Sequence, residues 1–286
     1  MLDYEKQRQL IVIFIIAVVL VVIFSIIALI FIWMPKKEAE VIFEVGKVEN
    51  EIVNETDMLY YYYKEISQML INSNTDAISN LVSQDYLEYK KMTKEDIKTY
   101  LVEKEVLGKQ LELVTSNTYR VIGYSNVYYL DIKAVDEIYS VGVVIKEISP
   151  ENYTISFDKF IDYSKDIYKQ TVNSVELEIY GRVRFINSVQ YEFNLRNNYD
   201  KNITVNSKSL AHAILLVSSN SSAKVPIMTT LSTARVDIEP HFYKSFTAVY
   251  QIGDSYDYYT YNTLVLKDVL YDGMDGVTDI EYNLAQ

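Results

Sequence analysis

The 286-residue sequence contains no cysteine, only eight glycines and four prolines, and two histidines. The absence of cysteine excludes disulfide bonds, thiolate zinc sites, iron–sulfur clusters and a cysteine nucleophile. Scarce glycine and proline exclude collagen-like and flexible low-complexity chains. The histidines, His212 and His241, belong to neither an H-x₃-H nor an H-E-x-x-H pattern. We therefore expect both to be structural or surface residues, and we predict no bound metal or cofactor.

Motifs that carry catalysis are equally scarce. The sequence has no G-x-x-x-x-G-K-[ST] phosphate loop, no G-x-G-x-x-G motif and no G-x-S-x-G nucleophile elbow. Ser125, in the segment GYSNV, falls in a predicted turn. Asp131 and Asp158 each fall on the polar phase of a predicted strand, where we expect them to be solvated. We therefore predict that the chain is not an enzyme.

Acidic residues outnumber basic residues by 39 to 27, which gives a formal net charge of −12. A surface of this charge repels nucleic acid and anionic lipid headgroups, and no basic stripe opposes it. Apolar residues make up 49% of the chain, which is enough for folded cores. We therefore expect the chain to fold and not to bind nucleic acid.

One long apolar run stands near the start of the sequence. No charged residue occurs from Leu10 to Met34, and a helix of this length spans roughly 37 Å, enough to cross a bilayer. Trp33 stands at the end of the run, where an amphipathic ring favours the membrane interface. The run predicts an uncleaved single-pass anchor, because no signal-peptide cleavage site follows it. Residues 1–9 are then a cytoplasmic tail, and residues 35–286 are extracytoplasmic.

Three helices are predicted after a charged stalk at residues 35–52. The first extends from about Asn54 to Ile71, since apolar residues recur there at helical spacing. The second covers TDAISNLVSQDYLEYKKM, and the third begins at a capping-box-like pair, Thr93 and Asp96. These segments predict a helical layer that precedes the strands.

The hydrophobic period changes to two after the third helix. VYYLDIKAV, EIYSVGVVIKEI and NYTISFDKF alternate apolar and polar positions, and with QLELVTSNTYRVIGY they predict about four antiparallel strands. Residues 53–165 are therefore predicted to form an α+β cone, with helices packed into a curved sheet. Residues 166–286 contain seven or eight short strand-like runs, from VELEIYGRVRF to NTLVLKDVL, and predict an all-β sandwich.

Four consecutive tyrosines lie in the first predicted helix, in the segment DMLYYYYKEISQML. Helical geometry places Tyr62 and Tyr63 on the apolar face, and Tyr60 and Tyr61 beside it near charged residues. Packing is the favoured role of Tyr62 and Tyr63. A ligand-binding aromatic box is the alternative, and it needs further aromatic residues from the sheet. Tyr60 and Tyr61 are candidate interface residues, because tyrosine is enriched at protein interfaces.

The acidic C-terminal segment YDGMDGVTDIEYN offers oxygen ligands of the kind that calcium prefers, namely Asp272, Asp275, Asp279 and Glu281. Their spacing does not match an EF-hand loop. We therefore favour solvated acidic turns over a calcium site at this end of the chain.

The order of the elements and the run VGVVIKEISPENYTISFD resemble a nuclear transport factor 2-like domain over about residues 50–165. The segments FNLRNNYDKNITV and IEPHFYKSF resemble immunoglobulin-like domains of bacterial surface proteins, which share no common enzymatic activity. A short tail, one span and a cone-shaped outer domain together resemble the bitopic assembly subunit of type IV secretion and conjugation machines. That resemblance implies a core component that binds other subunits and performs no catalysis.

Two functions are consistent with these patterns. The first is a non-enzymatic, membrane-anchored scaffold or assembly protein of the bacterial cell envelope, as in a secretion or conjugation machine. Its expected partners are the membrane, other envelope proteins and further copies of the chain. The alternative is an anchored binding module that captures a small molecule or peptide in the pocket of the cone.

Overall fold

A computed structural model describes residues 58–149, 152–208, 213–231, 235–253 and 260–284, except for the side chains of residues 166 and 167. These residues belong to one compact unit, in which four short helices precede fifteen strands. The predicted tail at 1–9, the predicted anchor residues Leu10, Trp33 and Met34, and the predicted stalk at 35–52 lie outside the described residues.

The four helices occupy the start of the described chain. Their bounds are Met58–Ile71 (α1), Thr75–Leu81 (α2), Gln84–Lys90 (α3) and Lys94–Glu103 (α4). The predicted capping box of Thr93 and Asp96 is confirmed at the start of α4. The predicted second helix is instead divided into α2 and α3. Val82 bridges Ile155, and the Ser83 backbone N–H donates to the Ile155 carbonyl at 2.8 Å.

Four antiparallel strands form the first sheet. They are Leu111–Tyr119 (β1), Asn126–Ala134 (β2), Ser140–Ser149 (β3) and Asn152–Phe157 (β4), in the order β1-β2-β3-β4. Alternate residues face the helices, such as Leu130 of β2 and its partner Val143 of β3. They share one buried core with Tyr62, Ile66 and Ile97 from the helices. Side chains therefore occupy the space between the helices and this sheet.

Eleven further strands form two sheets that pack face to face. They are Phe160–Val172 (β5), Val175–Phe185 (β6), Ser188–Asn197 (β7), Ile203–Val205 (β8), Ile214–Ser218 (β9), Ala223–Lys224 (β10), Pro226–Thr229 (β11), Val236–Ile238 (β12), Tyr243–Gln251 (β13), Tyr261–Tyr271 (β14) and Thr278–Asn283 (β15). One sheet has the order β11-β13-β7-β6-β5, and the other has the order β10-β9-β14-β8-β12, with β15 paired to β14. Inward-facing residues of both, such as Phe193 and Leu266, share one buried core.

The predicted fold class, an α+β cone followed by a separate immunoglobulin-like sandwich, is wrong. Strands dominate the described residues, the helices are short, and a nuclear transport factor 2-like cone is not evident. β5 continues across the predicted boundary between residues 165 and 166, with a shift in its pairing to β6 between Lys165 and Tyr168. Phe160 at its start lies in the helix-side core, and Tyr168 lies in the sandwich core. Hydrophobic periodicity predicts where a strand lies along the chain, but it does not predict which sheet the strand joins. It therefore did not predict that β5 contributes to both cores.

The predicted single-pass membrane protein also finds no support in the structure. Among the residues that the structure describes, no helix is long and apolar enough to cross a membrane, and the longest, α1, has 14 residues. The resemblance to the assembly subunit of secretion machines depended on a single transmembrane helix followed by a cone-shaped domain. We therefore drop that likeness together with the anchor and the extracytoplasmic location.

A buried lysine ties the helices to β5. The Lys146 ammonium group on β3 is 1% exposed, and it donates to Ser83 Oγ at 2.8 Å and to the Ile161 carbonyl at 2.7 Å. It also pairs with the Asp85 carboxylate of α3, 3.2 Å away. Burial lowers the pKa of Lys146, and the Asp85 carboxylate counteracts this shift. The three N–H donors of the ammonium group thus have three oxygen partners.

We expect Lys146→Ala to lower the free energy of unfolding by about 3 kcal/mol, because it leaves Asp85 without its ammonium partner. This is the low end of the usual range for a broken buried pair, since the Asp85 side chain is 28% exposed. Lys98→Ala on the exposed side of α4 is the control, with an expected change within about 0.5 kcal/mol. Urea unfolding followed by circular dichroism measures both, and equal effects would contradict the role of the ion pair.

Many tyrosines have a pKa above that of an exposed tyrosine. Burial raises the pKa of Tyr129 and Tyr271 to about 12. Burial also raises the pKa of Tyr86, Tyr250 and Tyr282. Because tyrosine in an unfolded chain ionises near pH 10, the native state binds more protons than the unfolded state above that pH. Stability therefore falls as pH rises from about 10 through the native pKa values.

We expect the protein to unfold cooperatively in alkali, between about pH 10 and pH 12. Ionisation of the buried tyrosines should accompany unfolding, because the native fold keeps their hydroxyl groups protonated. The measurement is the tyrosinate absorbance and the circular dichroism of one sample over a pH series. Complete tyrosine ionisation with a native circular dichroism spectrum would contradict the expectation.

Candidate functional site

The four consecutive tyrosines of α1 divide between the core and the surface. Tyr62 is fully buried, which confirms its predicted packing role, and Tyr63 is half-buried. Tyr60 and Tyr61 are 39% and 44% exposed. Residues three or four apart share a helix face, so Tyr62 and Ile66 point to the core together. The interface role of Tyr60 and Tyr61 stays a prediction.

Tyr61, Tyr62, Tyr128 and Tyr153 form a group of rings that we name the tyrosine cluster. The Tyr62 ring lies at its centre, and its centroid is 5.4 Å from Tyr61, 5.2 Å from Tyr128 and 4.8 Å from Tyr153. These distances are ordinary for tilted and edge-on aromatic pairs. The sheet thus supplies the aromatic residues that a ligand box needs, but these rings pack on one another. Tyr61 is the exposed end of the cluster.

A buried carboxylate holds the centre of the tyrosine cluster in place. Glu147 of β3 is 5% exposed, and it accepts from the Tyr62 hydroxyl at 2.9 Å and from the Asn126 side-chain amide at 2.8 Å. Burial, and then the hydrogen bond to Glu147, raise the pKa of Tyr62. The Tyr62 hydroxyl therefore stays protonated and donates to the carboxylate, which fixes the ring against which Tyr61 packs.

Two further polar atoms beside α1 have no hydrogen-bond partner among the described residues. They are the Tyr153 hydroxyl and Glu65 Oε2, and both are shielded from solvent. Burial and then the neighbouring Glu65 carboxylate raise the pKa of Tyr153, so these two groups lie next to each other. A buried polar group without a partner costs about 1–3 kcal/mol. The fold carries this cost beneath the exposed ring of Tyr61.

Asp158 is exposed, as we predicted, with 40% of its side chain accessible, and it also accepts hydrogen bonds from two tyrosines. The Tyr100 hydroxyl donates at 3.1 Å and the Tyr86 hydroxyl at 3.3 Å, and the Lys90 ammonium group is 2.9 Å away. Burial acts to raise the pKa of Asp158, but the hydrogen bond and charge of Lys90 lower it overall. The residue has a φ of 55° in the turn after β4, where strand alternation does not apply. Its partners join the helices to this turn, so we assign it a structural role.

The other candidates from the sequence do not form a catalytic group. The Ser125 hydroxyl donates to the Ile148 carbonyl at 2.9 Å, as expected of a turn residue. His241 is exposed, with Nε2 3.7 Å from the Asp200 carboxylate. His212 lies outside the described residues. Ser125 and His241 come from separate turns and share no partner in the described part of the chain.

The acidic C-terminal residues do not converge on a cation. Asp279 accepts from the Asp268 backbone N–H at 3.0 Å and pairs with Lys267. Asp272 and Asp275 are exposed in the turn before it. Across the described ranges, no group of three or more histidine, aspartate or glutamate side chains could hold a metal ion. Asp272 and Asp275 lie in a turn, as expected, whereas Asp279 and Glu281 lie in β15.

Comparisons of this chain with known protein families, with curated proteins and with solved structures found no match. The candidate site is therefore defined by its geometry, as the surface formed by Tyr60, Tyr61, Glu65 and Tyr153, which we name the tyrosine face. The spacing of Tyr61 and Glu65, four residues apart, already places them on one side of a helix. No local pattern could have shown that Tyr153, from β4, joins them.

We expect Tyr62→Phe to lower the free energy of unfolding by about 1–2 kcal/mol, because Glu147 then stays buried with one donor fewer. Tyr60→Phe is the matched control, since it removes an exposed hydroxyl from the same helix and should change stability by less than about 0.5 kcal/mol. Urea unfolding of both variants tests this difference. A Tyr62→Phe variant as stable as its control would show that the Glu147 bond does not fix the cluster.

Proposed function

We propose that this chain is a non-enzymatic assembly protein that binds another protein subunit through the tyrosine face. One observation carries the proposal. The Tyr60 and Tyr61 rings are 39% and 44% exposed, and each packs on a more buried ring of the same helix. Tyrosine is enriched at protein interfaces and among the residues that contribute most to binding.

The tyrosine face is arranged to bind with a small loss of side-chain freedom. Tyr61 packs edge-on against Tyr62, with 5.4 Å between the ring centroids, and Tyr62 is fixed by its bond to Glu147. The Tyr60 ring lies beside the half-buried Tyr63 ring of the same helix, with 6.5 Å between the ring centroids. Exposed rings that are already held by buried ones lose less conformational entropy when a partner covers them.

The polar atoms of the tyrosine face indicate the kind of partner that fits it. Tyrosine rings attract cations to their faces, and their hydroxyl oxygens accept hydrogen bonds from N–H donors. The net charge of −12 favours a partner with basic donors, because complementary charge speeds association and excludes acidic competitors. We therefore expect a protein surface that presents lysine, arginine or backbone N–H groups to α1.

Capture of a small molecule between the helices and the first sheet, the alternative predicted from the sequence, has no observation in its favour. The inward-facing side chains of β2, β3 and β4 meet those of α1 and α4 there. Buried apolar residues such as Leu130, Val143 and Ile97 occupy this space. A ligand would have to displace them.

We expect the double substitution Tyr60→Ser and Tyr61→Ser to reduce the recovery of crosslinked partner proteins about tenfold or more, since two interface tyrosines are lost together. The control is Tyr139→Ser with Tyr243→Ser, at tyrosines that are 68% and 60% exposed elsewhere on the protein. Crosslinking in cells, followed by purification of the tagged chain and mass spectrometry, gives the partner recovery for each variant.

Thermal unfolding of the purified variants shows whether the fold is intact, and both should unfold within a few degrees of the unsubstituted protein. Undiminished partner recovery with the Tyr60 and Tyr61 substitutions would overturn the proposal. An equal loss of partner recovery with the control substitutions would also overturn the proposal, because removing any two exposed tyrosines would then have the same effect.

A further inference from the structure

A groove of about 400 Å³ opens among the turns at one end of the sandwich. It contains none of the residues of the tyrosine face. Asn173 in the β5–β6 turn, Tyr199 in the β7–β8 loop, Tyr271 of β14 and residues 274–278 of the β14–β15 turn line it. The volume falls within the range of protein sites that bind small ligands. Loops held by a rigid sandwich are also where binding residues often lie.

Two tyrosine rings form a fixed wall of the groove. The Tyr199 and Tyr271 centroids are 5.5 Å apart and the ring planes meet at 87°. The Tyr271 hydroxyl donates to the Asn173 carbonyl, which holds that ring. The Tyr199 backbone N–H donates to Oδ1 of the fully buried Asn197 at 2.8 Å, which holds the loop. The aromatic wall therefore exists before any ligand arrives.

The charge around the groove is negative. Asp275 lies at the groove, is exposed, and forms no ion pair with the described residues. The same turn carries a second exposed carboxylate, Asp272. The nearby cation is Lys201, whose Nζ lies 2.7 Å from the position that a Cβ on Gly273 would take. One ammonium group against two carboxylates leaves a net negative charge at this turn.

From this wall, the exposed Met274 and the carboxylate of Asp275, we infer that the groove binds an arginine side chain in an extended segment of a partner protein. A guanidinium group stacks on tyrosine and pairs with a carboxylate through two N–H groups. Met274 is 53% exposed and offers a flexible apolar surface to the aliphatic stem of the arginine. The inference does not depend on the tyrosine face, and the acidic net charge favours a basic partner here as well.

The test uses the full-length chain with ¹³C-methyl-labelled methionine. The methyl signal of Met274 reports the groove, and that of Met228, 61% exposed on β11 and not part of the groove, is the internal control. The probes are the peptide acetyl-GSRLSG-amide and the same peptide with citrulline, which keeps the shape of arginine without its charge. We expect the arginine peptide to shift the Met274 signal alone, and to bind about tenfold or more tightly than the citrulline peptide.

Matched variants separate the groove from the general charge of the protein. Asp275→Asn should weaken the binding of the arginine peptide about fivefold or more. Asp136→Asn, in an exposed turn with a φ of 71° that asparagine tolerates, removes the same charge elsewhere and should leave binding unchanged. The variant with both Tyr60→Ser and Tyr61→Ser should bind the peptide as the unsubstituted protein does. The proposal for the groove and the proposal for the tyrosine face can therefore be contradicted separately.

Three results would overturn the inference. They are an unmoved Met274 signal at millimolar peptide, equal affinity for the arginine and citrulline peptides, and equal effects of Asp275→Asn and Asp136→Asn. The first would show that the groove binds no arginine. The second and third would show that any binding does not use the guanidinium charge or its proposed partner.

Discussion

An ammonium group that is removed from water costs several kcal/mol unless oxygen atoms surround it, and Lys146 imposes this requirement on the structure. Its three partners are Ser83 Oγ, the Asp85 carboxylate and the Ile161 carbonyl. The break between α2 and α3 therefore has to lie against β5, at the position where Ser83 also bonds the Ile155 carbonyl of β4. The placement of the helical layer follows from these bonds.

Glu147, the residue after Lys146, has the opposite charge and points to the other face of β3. Consecutive residues of a strand point to opposite faces, and Glu147 is buried on the side of Tyr62, which it holds through a hydrogen bond. One strand thus contains two buried charges of opposite sign, and side chains of the helical layer bond both of them. Because Tyr62 supports the exposed ring of Tyr61, the candidate site depends on the same strand as the helical layer.

Sequence patterns predicted features that depend on residues close together in the sequence, and they missed contacts between residues that are far apart in it. The spacing within α1 predicted that Tyr62 is buried, and the composition of the α4 start predicted its cap, since both depend on residues within one or two helical turns. The partner of Tyr62 is 85 positions away. Alternation along β3 puts Lys146 and Glu147 on opposite faces, but it predicts no partner for either. Alternation predicted that Asp158 is exposed, but its bonds to Tyr86 and Tyr100 join residues 72 and 58 positions apart and have no local pattern.

The excess of acid explains why tyrosine recurs in both proposed binding sites. With 39 acidic and 27 basic residues, carboxylates outnumber the cations that could pair with them, and the 27 tyrosines supply neutral donors instead. Tyr62 donates to Glu147 and Tyr100 to Asp158 in this way. Glu65 Oε2 lacks such a hydroxyl donor in the described part of the chain, and Asp275 lacks an ion pair there. Asp275 is exposed at the groove beside Tyr199 and Tyr271, so a donor from another molecule would complete there an arrangement that the protein already uses in its interior.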